Sequence, residues 1–153
     1  IEFCRRLTAL PEEQKVGNYY RLPTEVEWEY ACKAGAEIQL NLAKDVDQQL
    51  EPYAWHRGNA NGSPHPIGQK QANAWGIHDM KGNVWEWCSN DYPSQNNKNS
   101  EAGASSNFQE ALKVIRGGSF QCFPELCRAS NRNKKNMTNK RDDIGIRIIC
   151  TRI

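Results

Sequence analysis

A chain of 153 residues is long enough for one domain with its own hydrophobic core. Its 20 Lys and Arg against 18 Asp and Glu leave a formal charge of +2, a balance that argues against a dedicated binder of nucleic acid or anionic membrane. Hydrophobic residues make up 38 % and mean hydropathy is −0.83; with five Trp among many Asn and Gly, this suits polar loops pinned by a few large aromatics, not a helical bundle.

Ile1, Cys4, Leu7 and Leu10 recur at helical spacing, and Pro11 is expected to end that helix. Thr24 with Glu27 three residues on forms a capping box for the next helix. Trp28, Ala31 and Cys32 make its apolar face, Glu29 and Lys33 pair on the other side, and Gly35 is a natural stop. Residues 39–51 fit either a short helix or a loop. Residues 53–70, rich in Gly, Asn, Pro and aromatics, read as a structured loop. Val84–Trp87 alternates as a short strand after a tight turn. Residues 91–107 are polar and read as a mobile surface loop. Lys113–Phe120 reads as a strand ending at a Gly pair, and 121–143 as polar and irregular. Ile144, Ile146, Ile148 and Cys150 place one closing strand on a single face.

No apolar run approaches the ~20 residues of a membrane span. The last third is locally basic, with Arg128, Arg132, Lys134, Lys135, Lys140, Arg141 and Arg147; this reads as a solvated face with some Arg in internal ion pairs. Of six cysteines, Cys4 and Cys32 fall in helical patterns as buried thiols.

Four motifs stand in order: Arg21-Leu-Pro-Thr-Glu-Val-Glu-Trp-Glu-Tyr-Ala, Gly76-Ile-His-Asp-Met-Lys-Gly-Asn-Val-Trp-Glu-Trp, Arg116-Gly-Gly-Ser-Phe and Ile144-Gly-Ile-Arg. Together they resemble the sulfatase-modifying-factor family, founded on the formylglycine-generating enzyme. The resemblance implies an α+β, irregular, loop-rich fold of the C-type-lectin-like kind. It also implies that residues 1–153 are the C-terminal portion of a single domain, with the N-terminal strands supplied by a missing segment or a partner chain. A calcium site carries over by position onto Asp79, Gly82, Val84 and Glu86, because a turn offers carbonyls and carboxylates to a hard cation.

In the enzyme of that family, two cysteines just past Gly-Gly-Ser hold monovalent copper. Ser119, Cys122 and Cys127 reproduce that spacing, and two thiolates suit a soft monovalent ion. The intervening Phe123-Pro-Glu-Leu does not resemble the enzyme's hairpin. Cys127-Arg-Ala-Ser-Asn-Arg instead resembles the wider non-enzymatic branch, including retroelement-diversified variable proteins. Two functions follow. One is a module binding an unidentified protein or small ligand through 119–143, with Phe120, Gln121, Phe123, Glu125, Leu126, Asn131 and Asn133 at the surface. The other is a copper-dependent oxidase of a peptide cysteine, using Cys122, Cys127 and Ser119. A third resemblance, to the sulfoxide synthases of thiohistidine biosynthesis, would place the iron ligands outside this region; His56, His65 and His78 lack metal spacing and read as structural or surface histidines.

Overall fold

The computed structural model describes residues 1–35, 46–92 and 112–152; the expectations for 36–45 and 93–107 lie outside them. Helix α1 spans Glu2–Thr8 and α2 spans Pro11–Lys15. Pro11 therefore opens a helix where the sequence reading had it close one. At the first helical position its missing N–H costs nothing and its fixed φ is already helical.

Strand β1 (Asn18–Arg21) leads into α3 (Glu25–Lys33), whose capping box forms as expected: the Thr24 side chain accepts from the Glu27 N–H while the Glu27 carboxylate accepts from the Thr24 N–H. The Glu29–Lys33 pair also forms, at 2.6 Å. The helix ends with Ala34 in the left-handed region and Gly35 beyond it. A short α4 covers Val46–Leu50, and β2 covers Trp85–Asp91. After β3 (Leu112–Arg116) come a 3-10 turn (Pro124–Cys127), β4 (Arg132–Asn136), β5 (Ile144–Gly145) and β6 (Ile149–Arg152).

The main sheet runs β4-β3-β2-β5, antiparallel except for the parallel β2–β5 pair, and β1 pairs with β6 in a separate antiparallel ribbon. Between Trp87 and Asp91, β2 bulges out of register with β3. There Ser89 donates to the Pro23 carbonyl, and Asn90 accepts from the Glu25 N–H, so the bulge ties the sheet to the start of α3.

Two expectations fail here. The stretch 121–143 is not wholly irregular, because all five residues of β4 pair with β3. Its sequence, Arg-Asn-Lys-Lys-Asn, has no apolar alternation; pairing makes it a strand, and its charges suit a protected sheet edge. The closing strand is in fact two strands in two sheets, with Ile146 and Cys150 exposed.

Trp28, Cys32, Met80, Cys88, Val114 and Ala129 form one buried cluster between α3 and the main sheet. Val46, Leu50, Ala54 and Cys127 form a second, under the 3-10 turn, with Cys122 packed against it. Of the three indoles expected inside, Trp28, Trp85 and Trp87, the first two are buried, at 1 % and 4 % exposure. Trp87 is only half-buried and walls a small surface cavity with Leu22, Met137 and Ile146.

Arg116 lies in the core beside the first cluster. Its guanidinium meets Glu25, Glu29 and the Ala129 carbonyl, and stacks over Trp28 at 5.4 Å. Glu25 also takes a two-point contact from Arg132 on β4. This charge network joins α3 to the edge strand β4 and its neighbour β3.

Candidate functional site

Two turns with left-handed residues dock together and position everything around them. In the first, Gly82 and Asn83 both have positive φ. In the second, Gly117 and Gly118 reverse the chain after β3, also at positive φ. Gly82 N–H donates to the Gly117 carbonyl, and Phe120 N–H donates to the Asn83 carbonyl, at 2.8 and 2.7 Å. Asn83 extends the joint: its N–H donates to the Trp55 carbonyl, and its side chain both donates to and accepts from the His65 backbone. The sequence marked a tight turn before the Val84–Trp87 strand but did not single out Asn83, whose side chain stands in for two strand-like backbone bonds.

The residues proposed for calcium lie beside that joint. Asp79 and Glu86 share the wall of a cavity of about 470 Å³ with Val84, Asn83 and Arg147. Both Glu86 oxygens are engaged: Arg147 donates to each at 2.8 Å, and the buried Trp28 indole adds a third bond at 2.7 Å. Asp79 accepts from the Gly68 N–H at 2.7 Å. Gly82 uses its N–H on Gly117.

A divalent cation at this place would compete with a guanidinium already bound through two charged hydrogen bonds. Among the described residues, no group of three or more His, Cys, Asp or Glu is arranged around a metal position. As it stands, the Glu86 carboxylate is committed to an internal ion pair, which a cation here would have to displace. The expected outcome is an unchanged Tm when calcium replaces EDTA. A calcium-dependent rise of several degrees in a thermal melt would reverse that reading.

The three sulfur and hydroxyl candidates sit under the second turn. Ser119 is fully buried, with its Oγ 3.4 Å from both Cys122 Sγ and an Asp143 oxygen. Arg141 holds Asp143 from outside through two hydrogen bonds. Cys122 is half-buried and free.

Cys127 is 0 % exposed, and burial, reinforced by nearby Cys122, pushes its thiol up to about 12. A Cβ on Gly118 would stand 2.7 Å from Cys127 Sγ, so the second turn lies directly over the thiol. Copper in the resemblance needs two thiolates open to a substrate thiol; an inward Cys127 in an apolar cluster does not fit that centre. On this geometry, a limited treatment with iodoacetamide near pH 8 labels exposed Cys150 first and leaves Cys127 unmodified. Only about one part in 10⁴ of a thiol with pKa near 12 is thiolate at that pH. Peptide mass spectrometry reads the order directly.

The proposed ligand-binding residues divide. Phe120 is 1 % exposed and belongs to the core, so it is withdrawn from the surface set. Phe123 is 55 % and Leu126 42 % exposed, flanking the 3-10 turn. Gln121, Glu125 and Asn133 are exposed. Asn131 is half-buried and donates to the Leu126 carbonyl at 2.6 Å, which makes it a brace for the turn. Arg57 was not foreseen: it stacks over Phe123 at 4.8 Å, while its backbone N–H donates to the Cys122 carbonyl. Its distance in sequence left no local signal. Among the described residues, no helix is long and apolar enough to cross a membrane.

Comparison with known proteins gives this arrangement relatives. The chain is 29 % identical over 151 residues to the formylglycine-generating enzyme of Mycobacterium tuberculosis, covering 85 % of this chain and 50 % of that protein. The structure of Treponema denticola variable protein 1 superposes with a TM-score of 0.68 at 29 % identity, over 88 % of this chain and 48 % of that one. PvdO from Pseudomonas aeruginosa superposes with a TM-score of 0.71 at 26 % identity, over 99 % of this chain and 58 % of that one. The chain thus spans about half the length of these relatives, and its fold is the C-type-lectin-like fold of formylglycine-generating-enzyme type. The sulfatase-modifying factor enzyme 1-like domain matches residues 1–152, and the chain belongs to that family.

Proposed function

We propose that this chain is a binding module whose recognition surface lies on the 3-10 turn and its flanks, within 119–143. The observation that carries the reading is how the turn is held. Pro124, Cys127 and Ala129 are buried beneath it, and Asn131 and Arg128 close it by bonding the Leu126 and Glu125 carbonyls. Phe123 and Leu126 are left outside. Large apolar side chains on a braced turn lose little freedom when a partner covers them, which favours affinity. The similarity to a variable protein supports this reading, and so does the inward Cys127 thiol, which leaves the copper-oxidase alternative without its second ligand.

The test is a selection of displayed peptides against the folded chain, repeated with a Phe123→Ala, Leu126→Ala double variant. Wild-type selections are expected to enrich sequences whose binding falls at least tenfold on the variant. Equal binding by both proteins would place recognition elsewhere. Copper(I) competition with a chelator probes the alternative: one tightly held copper, lost in Cys122→Ser, would restore the oxidase.

A further inference from the structure

His56 is 1 % exposed, whereas His65 is half-buried and His78 exposed. It stands in a tight loop after α4. Its N–H donates to the Asn59 side chain at 2.9 Å, and its carbonyl accepts from the Asn59 and Ala60 N–H groups at 3.0 and 2.9 Å. Within the ring, Nδ1 accepts from the Gly58 N–H at 3.2 Å, so the imidazole is neutral and carries its proton on Nε2. That Nε2 is buried with no hydrogen-bond partner among the described residues. The same loop holds the 3-10 turn. Arg57 N–H donates to the Cys122 carbonyl at 2.9 Å, and Ala54 shares a buried cluster with Cys127.

A protonated imidazole has two donors and no acceptor. Its Nδ1 would face the Gly58 N–H donor to donor, and its Nε2 would carry charge where nothing accepts a bond. Burial is the largest influence on the ring and opposes the charge; Lys70 opposes it as well, while Asp47 and Glu51 on α4 and Glu125 on the 3-10 turn favour it. Asp47 lies 3.5 Å from Nδ1, but its side chain is 57 % exposed and solvated. Burial wins and holds the ring below the ordinary histidine value of about 6.5. The neutral ring therefore contributes its full stability above that value. The contribution is lost as pH falls below it, because the opened chain takes up the proton first.

We propose that His56 is an acid-operated latch for the 3-10 turn: protonation turns Nδ1 from acceptor to donor, breaks its bond to Gly58, and frees residues 54–60 together with the turn they hold. Its consequence for recognition, loss of the Phe123 and Leu126 surface in acid, rests on the binding function proposed above.

Hydrogen–deuterium exchange of the full chain at about pH 7 and about pH 5, corrected for the intrinsic rate, tests the latch. Exchange in peptides spanning 54–60 and 121–128 is expected to rise about tenfold or more in acid. His56→Asn keeps an acceptor for Gly58 and cannot be protonated, so its corrected exchange should change by less than about twofold. Proton NMR of the parent chain covers the case of a variant that does not fold: the His56 ring should titrate below those of His65 and His78. Parent exchange unchanged between the two pH values, equal acid sensitivity in a folded His56→Asn, or a His56 ring titrating at or above about 6.5 overturns the proposal. None of these measurements needs a bound partner, so failure of the latch and failure of the binding surface are separate results.

Discussion

Replacing Glu86 by alanine is expected to remove about 3–5 kcal/mol of stability, the cost of breaking a buried ion pair by deleting one partner. Glu86 is 6 % exposed and accepts three hydrogen bonds. Its loss strands the indole N–H of Trp28, itself 1 % exposed in the main cluster. It also strands the Arg147 guanidinium, which would keep only the His78 carbonyl. For a chain of this size the loss corresponds to about 10–15 °C in Tm. Glu86→Gln separates the contributions: it keeps an oxygen for Trp28 and removes the charge facing Arg147, so it should cost less than alanine. A urea melt placing the alanine variant within about 1 kcal/mol of the parent would show that this ion pair does not hold β2 to the segment after β5.

A larger loss is expected from Gly82→Ala, above about 4 kcal/mol, with the variant recovered mainly as insoluble protein. Two effects combine. Gly82 has φ +70°, a conformation that costs an L-residue about 1–2 kcal/mol. An added Cβ would also collide with the carbonyl of Trp55 and contact that residue's backbone nitrogen. Backbone cannot rotate aside as a side chain can. Relief would break the Trp55–Gly82 bridge and the Asn83-to-Trp55 bond.

Gly62→Ala is the control. Gly62 has nearly the same φ, +73°, but open space where a Cβ would go. It should show the conformational cost alone, and the difference between the two variants measures the close approach. Equal effects in solubility and Tm would mean that the joint between the two turns tolerates separation.

What could be read from the sequence was set by how local each cause is. The capping box at Thr24 and the Glu29–Lys33 pair were legible because all participants lie within one or two helical turns. Burial of Trp28 was legible from its place on the apolar face of a capped helix and that of Trp85 from the strand alternation, whereas the same expectation failed for half-buried Trp87. Strand β4 was not, since its polar residues become a strand only through β3, brought alongside from across a long connection.

The break after Gly145 was hidden for a related reason. The alternation of Ile144 to Cys150 fits one strand perfectly well, but Arg147 must turn inward to meet Glu86, which ends the ladder. At the candidate site, the motifs located the two glycine turns, and only the structure shows that Asn83 clamps them and that Arg147 closes the acidic pair. The spacing of Cys122 and Cys127 was correct as arithmetic. It carried no information about which way Cys127 faces.

The ribbon of β1 and β6 sets the order in which this chain can reach its final form. Asn18 pairs with Arg152 and Arg21 with Ile149, so two strands far apart in sequence must meet. Helix α3 can cap itself through contacts within its first turn, but the ribbon closes only when these distant segments meet. Pairings so distant slow folding, because a long loop must close before any contact rewards it. Refolding experiments should therefore see helical signal return ahead of amide protection in the β1–β6 ribbon.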